Sequence, residues 1–300
     1  LAIFVGIPKT RKGEMFSFLK PNLTTHKDQG KVIALMNQKG GVGKTTMAFN
    51  LAHAFAHQGK KVLCLDMDPQ GNFTSLFNVE IPEKHMHHLL INSVKELKAL
   101  HTSVLISELI MKTEQEEGVH IDLLPAGQEL SGFELTVAGI NAPRQLILKK
   151  FIEKYELRSQ YDVIVIDGPP TLGLLVVNIL CAADGVLYPF VPDRFSEQGL
   201  KNILQVVSDI AEMEITSTPK NLGYIPNLFD VRRKQAGSDL AHIKETLGEA
   251  FVYEAFTNKV QFGKSLAQRK SVFQYKSNEY KDLQRQFTVM TETVQKELLS

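Results

Sequence analysis

Two lysines in one glycine-rich loop and three carboxylates at the ends of apolar runs carry most of the chemistry legible in this sequence. The stretch MNQKGGVGKTTMAFN (36–50) contains Gly43-Lys44-Thr45. Gly40, Gly41 and Gly43 allow turns that aim backbone N–H groups inward. With the N-terminus of a following helix, such a loop makes a nest for phosphates. Lys44 would reach the terminal phosphates, and the Thr45 hydroxyl would ligate Mg²⁺. The usual phosphate-loop pattern has a glycine where this chain has Gln38, and the next residue is a second lysine, Lys39.

The carboxylates extend the same chemistry. Asp167 closes VIVID (163–167), where a hydrophobic strand would deliver one acid to a metal's hydration shell. DMDPQGN (66–72) sets Asp66 and Asp68 two apart, hence on the same side of an extended chain. Pro69 and Gly71 then turn the chain into a loop able to sense a γ-phosphate. Taken alone, Asp66 and Asp68 read equally well as capping residues. Beside a phosphate loop, handling of water or metal is the stronger reading. The histidines of HMHH (85–88) lack further placed ligands and read as a polar surface turn.

The elements that must position these groups alternate. KVIALMN (31–37), KKVLCLDMD (60–68), VHIDLLPAG (119–127), YDVIVIDGPP (161–170), DGVLYPFVP (184–192) and KNLGYIPNLFD (220–230) read as strands. Helical patterns lie between most of them, the first being GKTTMAFNLAHAFAHQG, ended by Gly59. Residues 78–118 read as helical and charge-rich, and AFVYEAF (250–256) as a last short strand. Strands alternating with helices predict an α/β fold: a doubly wound, mostly parallel sheet with helices on both faces. Ligands in such sheets bind beyond the carboxyl ends of the strands. The polar clusters at 37–46, 66–72 and 167–171 should therefore meet on one rim.

Composition excludes several classes. The 300 residues are 43% apolar and 22% charged, with net charge +1, so any nucleic-acid binding must come from a local patch. The two cysteines, Cys64 and Cys181, lie in apolar runs and read as reduced core thiols of a cytosolic protein. No apolar run approaches the roughly 20 residues that span a bilayer. Residues 1–30 hold five Lys/Arg against two acids, with Pro8 and Pro21 as breakers. They read as a basic arm, too short for a helix-turn-helix domain, ahead of one unit at 31–300. The final helix carries Tyr280, Leu283, Phe287, Met290, Val294 and Leu298 at spacings of three and four, a stripe expected to pack on the core.

NQKGGVGKTT, DMDPQGN, YDVIVIDGPPTLGLLVVNILCAAD and FSEQGL, in this order and spacing, resemble the blocks of the ParA/Soj-type partition ATPases. Those belong to the deviant Walker A group of P-loop NTPases, with MinD and the nitrogenase iron protein as relatives. The resemblance implies that Lys39 is a signature lysine, reaching the ATP of the other subunit of a homodimer. It implies that Gly40, Gly41, Val42, Gly43, Lys44, Thr45 and Thr46 hold the phosphates, Thr46 nearest the α-phosphate. Lys39, Lys44 and Asp68 would be catalytic, Asp68 by positioning the attacking water. Thr45, Asp66 and Asp167 would serve Mg²⁺, and Asn227 would lie against the adenine. Relatives often have a proline in the base-flanking loop where this chain has Thr257.

The resemblance further implies an ATPase of DNA segregation, cytoplasmic and nucleoid-associated. Its ATP-bound dimer would coat nonspecific duplex DNA until a ParB-like partner stimulates hydrolysis. Residues 257–276 contain Lys259, Lys264, Arg269, Lys270 and Lys276 and no acid. The first four are the expected DNA contacts, with Arg232, Arg233 and Lys234 nearby. The alternatives are a relative that positions non-DNA cargo, or a metabolic enzyme with the same ATP site. Cys64 in a strand and Cys181 in a helix are ill placed to share a cluster across a dimer, and the mixed charge of the final helix argues against a membrane anchor.

Overall fold

The computed structural model describes residues 29–116, 118–193, 196–248 and 251–299. All but the last two residues of the basic arm lie outside them. The strands are β1 (Lys31–Leu35), β2 (Val62–Asp66), β3 (Met111–Glu116), β4 (Val119–Leu124), β5 (Val163–Asp167), β6 (Gly185–Phe190) and β7 (Lys220–Pro226). They form one seven-stranded sheet in the order β3-β4-β2-β5-β1-β6-β7. Every pairing is parallel except β3 with β4. This is the expected doubly wound α/β sheet.

The period-2 alternation of the strands divides the core into two layers. Ile33, Leu35, Cys64, Val163 and Val165 face the Lys44–His57 and Asn278–Leu299 helices. Val32, Ala34, Leu63, Leu65, Ile164 and Ile166 face the other side. There they meet the helices Ile147–Lys154, Leu174–Ala182 and Ser196–Glu212. The stripe of the final helix is buried at Tyr280, Leu283, Phe287, Met290 and Val294. Gln58 at the end of the first helix donates to Thr291 Oγ1 of the last at 2.6 Å. Both cysteines are buried and free. Among the described residues, no helix is long and apolar enough to cross a membrane.

Two readings of the sequence need correction. Residues 78–118 are not helical throughout. Helical turns at Met86–Asn92, Lys95–Leu100 and Ile106–Leu109 give way to β3, MKTEQE. Its Lys, Glu and Gln favour helix intrinsically, but pairing with apolar β4 wins. Thr113 is buried and donates its hydroxyl to the Ile121 carbonyl at 2.5 Å. A charged, antiparallel strand is a common way to finish a sheet edge. Nor do the described residues 251–256 of the expected last strand form one: a single bridge, Tyr224 to Val252, falls within them, and another, Phe229 to Thr257, follows just beyond. Beside it β7 is kinked at Gly223, which takes φ +120° with the Tyr253 ring and Phe251 carbonyl against its Cα. That kink denies the segment a regular ladder.

Candidate active site

The phosphate-type loop follows β1 directly. Met36 and Asn37 stay buried, and the chain then turns through Gly41 (φ +73°) and Gly43 (φ +90°) into the helix beginning at Lys44. Gly43 has a second constraint besides its left-handed backbone. A Cβ there would lie 2.1 Å from Asn227 Nδ2. Asn227, 2% exposed at the end of β7, donates that amide to the Val42 carbonyl at 2.8 Å. The residue expected against adenine thus braces the loop's backbone. Thr46 is tied in by its carbonyl, which accepts from Asn50 Nδ2 at 2.9 Å.

Lys44 is 7% exposed, and its ammonium arches back over the loop to the Lys39 carbonyl at 3.4 Å. Burial pushes its pKa below the ordinary lysine value, while the charges of Asp167 and Asp68 oppose that shift. Asp167 and Asp66 are register partners on β5 and β2, both fully buried. Thr45 donates its hydroxyl to Asp167 Oδ2 at 2.7 Å. Asp167 Oδ1 has no hydrogen-bond partner among the described residues. Burial pushes the Asp66 carboxyl up to about 6, against the pull of its bonds from Thr74 and Asp68. Burial, and then the neighbouring Asp66, push Asp167 up as well. Two adjacent dry carboxylates, one with an orphaned oxygen, call for a cation. The donor set, oxygens of Asp and Thr, suits a hard ion such as Mg²⁺.

Asp68 stands just outside this pair. Its backbone N–H donates to Asp66 Oδ1 at 3.1 Å. Its own Oδ1 accepts from the Gln70 N–H at 3.0 Å, and Gly71 (φ +64°) completes the turn. Asp68 and Pro69 line a cleft of about 370 Å³, opposite Pro169, Pro170 and Gly173 from the loop after β5. The strand-end clusters therefore share one rim, as their positions predicted.

Lys39 departs from Lys44. Its ammonium makes an ion pair with Asp193, and both side chains are 34% exposed. Its N–H donates to Asn37 Oδ1 at 2.8 Å, and Asn37 Nδ2 donates to the Pro189 carbonyl at 2.7 Å.

The sequence alone does not single out Asn37, Thr74 or Asp193. Thr74 gives both its N–H and its hydroxyl to Asp66 Oδ2, each at 2.7 Å, and accepts from Ala126 N–H at 3.2 Å. No local pattern marks Thr74, which lies eight residues past Asp66 across a loop. The HMHH reading also changes. His85 is buried, and its Nε2 lies 2.7 Å from Glu129.

The expected DNA contacts do not form one uniform patch. Lys259 is ion-paired with Asp282, which Arg285 also joins. Arg232 is likewise paired, with Asp230. Lys264, Arg269 and Lys270 are exposed. Arg269 Nη1 donates to Asn78 Oδ1 at 2.6 Å.

Comparison with known proteins fits this architecture. The AAA domain family matches residues 30–219. The chromosome-partitioning ATPase Soj of Thermus thermophilus is 34% identical over 243 residues, covering 79% of this chain and 87% of Soj. An ATP complex of a single-residue variant of Cyanothece McdA shares the fold, with TM-score 0.75 at 22% identity, over 89% of this chain and 97% of McdA. Cobyrinic acid a,c-diamide synthase of Mycobacterium smegmatis, solved with an ATP analogue and magnesium, has TM-score 0.62 at 31% identity. It covers 72% of this chain and 80% of the synthase. Together with the loop, the paired aspartates and the sheet order, these matches show that the chain belongs to the ParA/Soj-type partition ATPases, a P-loop family.

Proposed function

We propose that this chain is a DNA-segregation ATPase that binds ATP and Mg²⁺ at the rim, dimerises around them, and holds nonspecific duplex DNA until hydrolysis releases it. One observation carries the reading. Thr45 bonds to Asp167, whose other oxygen is orphaned beside buried Asp66, under the ammonium of Lys44. That arrangement is incomplete without a cation, and the loop above it is shaped for phosphates.

In this reading, the loop from Gly40 to Thr46 offers its N–H groups to the phosphates. Lys44 swings from the Lys39 carbonyl to the β/γ-phosphates. Thr45, Asp167 and Asp66 hold Mg²⁺, which when bound neutralises charge on the phosphate oxygens. Asp68, at the mouth of the cleft, orients and polarises the attacking water. Lys39 leaves Asp193 and supplies charge to the other subunit's ATP, as an arginine finger does. A ParB-like partner stimulates hydrolysis, and the protein works in the cytoplasm on the nucleoid, moving a plasmid or chromosome. The kinship with Soj, named as chromosome-partitioning, supports DNA as the cargo track.

The likeness to the diamide synthase favours, as a second reading, a metabolic enzyme on the same ATP site. A family member that positions another cargo is the third. The deciding measurement is ATP hydrolysis by the full chain with and without duplex DNA and the neighbouring gene's product. Partition predicts ATP-dependent retention on duplex of any sequence and stimulation by the partner. Hydrolysis indifferent to both, but stimulated by a small carboxylic acid, would overturn it.

A further inference from the structure

The end of β7 reaches the phosphate-type loop through one side chain. Asn227 follows Pro226, the last residue of β7, and donates its Nδ2 to the Val42 carbonyl at 2.8 Å. Its own N–H donates to the Phe190 carbonyl, at the end of β6, at 2.7 Å. A trans peptide is planar, with its C=O and N–H pointing opposite ways. A donor that fixes the Val42 carbonyl therefore also fixes the direction of the next N–H, that of Gly43. No acceptor meets that N–H among the described residues. We propose that Asn227 is a positioning residue for the phosphates: it turns the Val42–Gly43 peptide so that the N–H, and not the carbonyl, faces them. The proposal rests on the ATP site described above and gives Asn227 a task other than contact with the base.

The loop needs such a device. Gly41 and Gly43 have no Cβ to hinder rotation of their peptides. A carbonyl turned into the nest would set an acceptor against a phosphate oxygen. Among the described residues, no other side chain donates to a carbonyl of residues 40–43. Asn37 does the corresponding work where the loop begins. Its Oδ1 takes the Lys39 N–H and its Nδ2 is donated to Pro189. Both asparagines are thus anchored on the end of β6, and the loop is held between β1 and β7.

The backbone around Asn227 is strained to keep the amide there. Leu228, the next residue, takes φ +52°, a left-handed conformation that costs a leucine free energy. Such strain persists where neighbours over-determine it, and it gathers at functional sites. On one side of Leu228 the Asn227 N–H is tied to Phe190, and on the other the Phe229 N–H donates to the Phe256 carbonyl at 3.0 Å. The Leu228 side chain is exposed, so its own burial does not offset the strain.

The test displaces a labelled ATP from the full chain, with Mg²⁺ present, by unlabelled ATP, GTP or inorganic tripolyphosphate. A residue that orients the loop serves all three competitors, whereas a residue that reads adenine serves ATP alone. Asn227→Ala should weaken each competitor about tenfold, as for loss of a bond that leaves a carbonyl unpaired. Asn227→Asp, which sets an acceptor against that carbonyl, should weaken each by at least about 100-fold. In both variants the ratio of ATP to GTP affinity should stay within about twofold of wild type, and kcat at saturating ATP within about threefold, because uniform binding is lost. Asn227→Ser, whose hydroxyl is too short to reach the carbonyl, gives the same comparison should the alanine variant not fold. A loss confined to ATP would make Asn227 a base contact and overturn the proposal. Unchanged affinity for all three would overturn it too, since the peptide would then hold its direction unaided. If the wild type binds no labelled ATP, the ATP site itself is wrong, and the proposal falls with it.

Discussion

The centre and the edge of this sheet are made from opposite residue classes. β2 and β5, VLCLD and VIVID, are buried at every position and each ends in a carboxylate. β3, MKTEQE, carries lysine and glutamate on the outermost strand. At the centre, helices cover both faces, so a parallel strand must be apolar throughout and its polar groups gather at its tip. At the edge, the open side favours charge, which discourages pairing with other chains. The contrast separates chemistry from contact. Buried acids next to a phosphate loop sit where charge acts strongly, while the exposed Lys112 of the edge strand keeps its charge in water.

The severest break in the central region is Lys44→Ala. Among the described residues, no other cation reaches into the loop, since Lys39 is engaged with Asp193. Affinity for ATP should fall by at least about 100-fold, the equivalent of about 3 kcal/mol for hydrogen bonds between charged groups. Equilibrium binding of a labelled ATP measures it. Unchanged affinity would remove the phosphate site from this loop.

Thr74→Val probes the same region more finely. The isosteric change removes one of Thr74's two bonds to Asp66 and the acceptor for Ala126 N–H, leaving the backbone bond to Asp66 in place. Hydrolysis (kcat) should drop about tenfold, as for loss of a hydrogen bond to a charged group. KM for ATP should stay within about twofold, since Thr74 touches no part of the loop. Thr74→Ser should restore kcat. If serine is as poor as valine, Thr74 acts through packing and does not position Asp66.

The same contrast explains what was legible in the sequence. Gly43 could be read because the demand on it is local: a left-handed turn entering a helix. Asp66 and Asp167 could be read because an apolar run ending in an acid is unusual enough to need a reason. Thr74 could not, because its partner lies eight residues away around a loop whose path depends on the sheet. β3 could not, because its residues favour helix and only β4, supplied by the fold, makes them a strand. The pairing of Lys259 with Asp282 spans 23 residues, so a count of basic residues could not show it. His85 looked like a surface polar residue and proved buried, because its packing against Gly127 is tertiary.

The last expected effect concerns stability, away from both regions. His53 sits in the middle of the Lys44–His57 helix, fully buried, with its ring edge-on to Phe49 at 4.6 Å. Neither ring nitrogen has a hydrogen-bond partner among the described residues. Burial, with a smaller push from His57, lowers its pKa to about 3. In the unfolded chain the group returns to its ordinary value near 6.5. Between those values the unfolded state binds a proton that the folded state refuses. The folded state therefore loses stability as pH falls from about 6.5 towards 3, by up to about 1.4 kcal/mol per pH unit from this residue. Above pH 6.5 both states hold it neutral and the dependence vanishes. His53→Leu should flatten this part of the acid limb in urea unfolding measured at about pH 7.5 and about pH 5. At the higher pH it should also add about 1 kcal/mol, because an unsatisfied buried polar group is removed. An acid limb as steep as in the wild type would show that protonation of other groups governs the loss.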